Sequence, residues 1–199
     1  MASTASLRDQ HAAVTRQRIL GAVADLLERD HAGELTVPEV AEASGVSLRT
    51  IYRYYPTREA LLEAAGRWIG DELLRHPYPR TLDDVADLYE EGCADFDERP
   101  GLVRAMALSQ LGQDVRGYRR RERTQAIGQT LRAELDGLSE QELRSAEAVL
   151  AYLHNILAYT AMREENGMAG EEIGQSVGWA IRALIADLRK RNRNARRKK

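Results

Sequence analysis

The sequence predicts an all-α protein, with a small N-terminal three-helix head and a larger C-terminal helical body, about nine helices together. Three observations carry this. Apolar residues recur at helical spacing almost throughout, while strand-like alternation is nearly absent. Cap residues, glycines and prolines punctuate the chain where helices would start and stop. Finally, residues 47–58 hold three arginines, three tyrosines and no acid, inside a chain of net charge −2.

The elements follow in order. In a first helix, expected over about residues 12–30, Ile19, Ala22, Val23, Leu26 and Leu27 share one face. Thr36 starts a second as N-cap, Glu39 completes a capping box, and Pro38 sits in the tolerant first turn. Gly45 ends that helix about two turns later, because glycine takes positive φ without a Cβ clash. Ser47 caps a third helix, which Pro56 stops near Tyr55. Thr57 caps a fourth, with Leu61, Ala64, Ala65, Trp68, Ile69 and Leu73 on its buried face, and Pro77 and Pro79 close it.

A fifth helix carries Leu82, Val85, Ala86, Tyr89, Cys93 and Phe96 and stops before Pro100 and Gly101. Further helices are expected over about 102–110, 114–136, 139–165 and 170–191. The division this predicts is an N-terminal arm and head over 1–60, a helical body over 61–191, and a basic, disordered tail over 192–199.

Composition bounds the function. With 43% hydrophobic and 30% charged residues, the chain reads as soluble and globular. A single cysteine, Cys93, excludes an intrachain disulfide and fits a reducing cytoplasm. The N-terminus lacks a secretory apolar region, and no apolar run approaches the ~18 residues of a membrane span. A cytoplasmic protein without a membrane partner is expected. Charge is uneven: the last eleven residues hold eight basic groups and no acid.

Helix, glycine turn and helix at this spacing form a helix-turn-helix, whose second helix enters the DNA major groove. Arg49 is expected to fork two hydrogen bonds to guanine, and Thr50 to touch a thymine methyl or a phosphate. Thr36, Tyr52, Arg53 and Tyr54 are expected to donate to phosphates and fix the register. Ser47 and Leu48 open the same helix and complete the set. Arg58 adds charge at the N-terminus of the fourth helix, where backbone N–H groups attract anions. Val46 and Ile51 face inward. An arginine- and tyrosine-rich helix can also be a plain solvated face, but the capping box, Gly45, Ser47 and Pro56 together favour DNA binding.

The segment LTVPEVAEASGVSLRTIYRYYPTREALLEA resembles the N-terminal signature of the TetR family of one-component transcriptional regulators. The likeness covers about residues 14–64 and rests on Thr36, Val40, Ala41, Gly45, Val46, Ser47, Thr50, Ile51, Tyr52, Tyr54 and Tyr55. Ser44 stands where alanine is common, and Arg58 where lysine is common. The resemblance implies a homodimer on a near-palindromic double-stranded DNA operator, usually a repressor. It implies release by an unidentified small-molecule effector bound in the body.

In the body, the helix expected at 139–165 shows two apolar stripes, one through Leu143, Ala146, Leu150, Leu153 and Leu157, the other through Val149, Tyr152, Ile156 and Thr160. So wide an apolar arc needs cover on two sides, and a second subunit is the expected second cover. The last helix adds Ile173, Gly174, Val177, Gly178, Ile181, Leu184 and Leu188, the glycines suggesting close approach of another helix. A monomer with both stripes internal is the alternative. Pocket candidates are Trp68, Tyr89, Cys93, Phe96, Met106, Gln110, Tyr118, Tyr152, Asn155 and Tyr159. Such an apolar, aromatic cavity suits a lipophilic molecule. Arg116, Arg119, Arg120, Arg121 and Arg123 crowd one helix start. They either hold an anionic ligand group or are solvated and paired with neighbouring acids.

Nothing assembles into catalysis. His11, His31, His76 and His154 are scattered without metal-ligand spacing, and Cys93 has no visible base. No metal, cofactor or enzymatic activity is expected. Two alternatives to a specific regulator remain: a helical small-molecule-binding protein without an operator, and a nucleoid-type binder that uses charge alone.

Overall fold

The computed structural model describes residues 7–29, 35–73 and 77–198, the side chains of residues 7, 8, 72, 73 and 118 excepted. Expectations placed on the first six residues, His31, His76, Lys199 and the side chains of Leu73 and Tyr118 lie outside that range. The described chain is all-α, with no strand among its residues. The head comprises α1 (Leu7–Glu28), α2 (Val37–Ser44) and α3 (Leu48–Tyr54). Next come α4 (Arg58–Trp68), a π-helical turn (Ile69–Leu73), α5 (Leu82–Glu98) and α6 (Pro100–Leu108). The remainder is α7 (Gln110–Glu134), α8 (Glu140–Leu153), α9 (Ile156–Asn166) and α10 (Gly170–Arg196).

Local chemistry sets the head. The Thr36 N–H donates to Glu39 Oε2 at 2.7 Å and the Glu39 N–H to Thr36 Oγ1 at 3.4 Å, the reciprocal capping box. Gly45 holds φ 65°, a left-handed conformation that swings the chain from α2 into α3. Ser47 and Thr57 then accept from the backbone N–H groups of Thr50 and Ala60, capping α3 and α4. Ile51, Val46 and Val40 are buried with Ile19 and Val23 of α1, which locks α3 in place. Burying a side chain such as Ile51 stabilises by roughly 1.5–3 kcal/mol. The apolar core runs on without a break into the body.

Three expectations need correction. The helix expected at 139–165 is two helices. His154 ends α8, and the Asn155 side chain accepts the Leu157 N–H at 3.1 Å to begin α9, so a local cap overrides a continuous apolar pattern. The tail expected to be disordered from 192 is helical to Arg196. Asn192 is buried, its Oδ1 accepting the Gly137 N–H at 2.7 Å, and Arg196 Nε reaches Asp136 at 2.6 Å. Lastly, the expected boundary at 60/61 falls inside α4, which is continuous from head to body. Among the described residues no helix is long and apolar enough to cross a membrane.

Candidate nucleic-acid interface and body cavity

On α3 exposure separates an outward face from an inward one. Ser47, Leu48, Arg49, Tyr52 and Arg53 are exposed, Thr50 and Tyr54 half-buried, and Ile51 fully buried. Leu48 and Tyr52 are large apolar-bodied residues held in solvent at 41% and 48% exposure, which core packing does not explain. The Tyr54 ring lies beneath two guanidiniums, Arg53 at 5.2 Å and Arg16 of α1 at 5.4 Å. This stacking holds cations beside α3. Thr36 is exposed at the start of α2. Arg16 was missed by the sequence reading. Its signal was the basic run around Thr15–Arg18, hidden on a helix read for its apolar face.

Arg58 departs from its expected role. It is half-buried, its Nε donates to the Leu35 carbonyl at 2.8 Å, and its Nη2 lies 3.9 Å from Asp114 of α7. The guanidinium faces the protein because Leu35, just before α2, presents a backbone acceptor within its reach.

The expected dimer residues divide. Val149 (47% exposed), Tyr152 (64%) and Leu184 (37%) stand out from α8 and α10. Val149, Leu184 and half-buried Leu188 flank one groove between those helices. Trp179 of α10, 72% exposed, was missed because it lies off the apolar stripe. Gly174, Val177, Gly178 and Ile181 instead turn inward: a Cβ on Gly178 would meet the Glu90 carboxylate of α5 at 2.0 Å. The two glycines serve the close packing of α10 on α5 within one chain. Thr160 is buried, and Ile156, at the start of α9, lines a cavity in the body.

That cavity, about 60 Å³, lies between α4, the π-turn, α5, α6, α7 and the start of α9. Of the expected pocket residues it takes Phe96, Met106 and Asn155. Tyr159 is spent on structure: its hydroxyl donates to Asp97 and its ring meets Phe96 edge-on at 5.1 Å. The Tyr89 ring packs edge-on against His154 at 5.6 Å. Cys93 is buried against α10, and burial pushes its thiol up to about 12, so it is an inert core residue. Trp68 packs toward Gly21 of α1, while Gln110 and Tyr152 are exposed. Beside Phe96, the cavity carries Arg116, Arg119, Arg120 and Arg123, about two turns of one α7 face. Burial, then the neighbouring Arg116 and Arg119, push the Arg123 guanidinium down to about 10. Burial, then Arg123, hold the His154 imidazole down to about 3 and therefore neutral.

A glycine-hinged pair of helices whose second member bares arginine and tyrosine on an all-helical frame defines a helix-turn-helix DNA-binding protein. Residues 19–65 match the family described as bacterial regulatory proteins, tetR family. Similar proteins include the nucleoid occlusion factor SlmA of Vibrio vulnificus, 27% identical across 87% of this chain and 86% of that one. Among solved structures, a tetR-family transcriptional regulator from Streptomyces coelicolor aligns with a TM-score of 0.54 at 22% identity, covering 92% of this chain and 85% of its own. NalD of Pseudomonas aeruginosa, described as the secondary repressor of the MexAB-OprM multidrug efflux pump, gives 0.59 at 15% identity over 87% and 96%. The chain is thus similar to tetR-family regulators over residues 19–65, and its fold is that of solved structures so described.

Proposed function

We propose that the protein is a repressor that binds a near-palindromic operator as a homodimer and is released by a small molecule entering the body cavity. The observation that carries this is the bare face of α3, with Arg49, Tyr52 and Arg53 outward while Ile51 locks the helix from behind. Arg49 reads base edges, and Thr36, Tyr52, Arg53 and Arg16 anchor phosphates. A second copy covers Val149, Tyr152, Trp179 and Leu184, which sets two α3 helices about one DNA turn apart.

Release follows from connectivity. One helix, α4, is both the end of the head and a wall of the cavity, and Arg58 ties it to α7. An occupant that moves α7 relative to α4 therefore moves the head. Repression agrees with the description of NalD as a repressor. A second reading, a binder of many dispersed chromosomal sites, is favoured by the likeness to nucleoid occlusion factors. Selecting bound sites from random genomic fragments separates the two. Recovery of a few related sites beside promoters supports the repressor, whereas many scattered sites without promoter proximity support the second reading.

A further inference from the structure

The cavity lining holds four arginines and no acid. Arg119 is compensated by Asp71 at 2.5 Å and lies over the Tyr78 ring at 4.7 Å. Arg116, 9% exposed, donates to the Ala107 carbonyl at 3.2 Å, a neutral acceptor. The Nε atoms of Arg116 and Arg123 are sealed from solvent, with no hydrogen-bond partner among the described residues. Buried donors are almost always satisfied, and a buried cation is costly unless an anion faces it. An anion from outside the chain would supply the missing partner. The positive N-terminal end of α9, at Asn155 and Ile156, opens onto the same space and adds to its attraction for negative charge.

We propose that the cavity binds the oxyanion head, carboxylate or phosphate, of an organic effector whose apolar part lies on Phe96, Met106 and Ile156. Arg116 and Arg123 supply the forks that match such a head in geometry and charge. The present volume, about 60 Å³, admits a head group but not a molecule of ordinary ligand size. The body of the effector therefore parts α7 from the π-turn, where Gly70 packs so closely that a Cβ would meet Arg119 Nε at 2.1 Å. This rests on the reading that the body receives an effector, and it narrows the expected lipophilic molecule to an amphipathic anion.

The test uses the full chain without DNA, so it stands apart from operator specificity. Octanoate, octyl phosphate and octanol are titrated by calorimetry and thermal unfolding against wild type, R123M and R116M/R123M. Saturable binding of octanoate or octyl phosphate but not octanol is expected, weakened at least about tenfold in R123M. The anion with the larger shift identifies the head group. Without ligand, R123M should unfold at or above the wild-type temperature, because it removes a half-buried cation whose Nε has no partner among the described residues. Anions binding no better than octanol, equal affinity in the variants, or R123M melting well below wild type would overturn the proposal. Anion binding that leaves operator affinity unchanged would uphold the site and sink the release mechanism.

Discussion

Arg58 and Asp114 meet at 3.9 Å where α4 begins and α7 starts, while the same guanidinium holds the Leu35 carbonyl at 2.8 Å. One side chain thus fastens the approach to α2, the first turn of α4 and the helix that carries the cavity arginines. The carboxylate is more than a third exposed, so the ion pair contributes at most about 1 kcal/mol, and the hydrogen bond about 1 more. Arg58→Ala should cost about 1–2 kcal/mol in urea unfolding. Its salt slope of DNA binding should match wild type, whereas Arg53→Ala should lower the slope by roughly one.

Arg49 is exposed on α3. Arg49→Ala should lose about 1–3 kcal/mol on the preferred operator and relax preference at one base position. Affinities for all four bases at each operator position check this. A uniform loss at every position would mark Arg49 as a phosphate contact instead.

Gly45 sits at φ 65°. Any Cβ there brings the left-handed penalty, so Gly45→Ala should lower stability by about 1–2 kcal/mol. Gly45→Asn should cost less, because asparagine tolerates that conformation. Thermal unfolding of both variants reads the difference.

His154 is buried and neutral beside Arg123 and Tyr89, its imidazole held down to about 3 from an ordinary 6.5. Between those values the unfolded chain binds a proton that the folded chain refuses. Stability is therefore fully present above about pH 6.5 and falls as pH drops, by up to about 1.4 kcal/mol per unit. Asp83, Asp84 and Asp97 sit below the usual carboxylate range and act only below about pH 4. Denaturant titrations from about pH 6.5 to 4.5 should show the fall in wild type and a flatter profile in His154→Phe.

Val149 and Tyr152 stand in solvent on α8. The double change Val149→Glu and Tyr152→Glu should leave the fold intact and shift the protein to monomer in sedimentation, with loss of operator affinity. A monomeric wild type would remove the proposed interface.

The head was legible in the sequence because each of its signals is local: Thr36 with Glu39 and Ser47 with Thr50 are each three residues apart, and Gly45 acts alone. The body was less so because its determinants are distant pairings. Gly174 and Gly178 read as a subunit contact until Glu90, far away in sequence, proved to fill the space above Gly178. In the sequence Asn155 reads as a pocket polar group. It does line the cavity, but its cap also breaks the helix and turns Ile156 inward. The arginines of α7 were visible as a run, yet which acids reach them depends on how α4 and its π-turn pack.

The central claim is that α3 reads a specific operator. Its most direct measurement is the affinity of the full chain for a selected genomic site relative to a scrambled duplex of equal length and salt. The account predicts a ratio on the order of 10³ or more, lost in Arg49→Ala. A ratio near one, unchanged by that substitution, would contradict it.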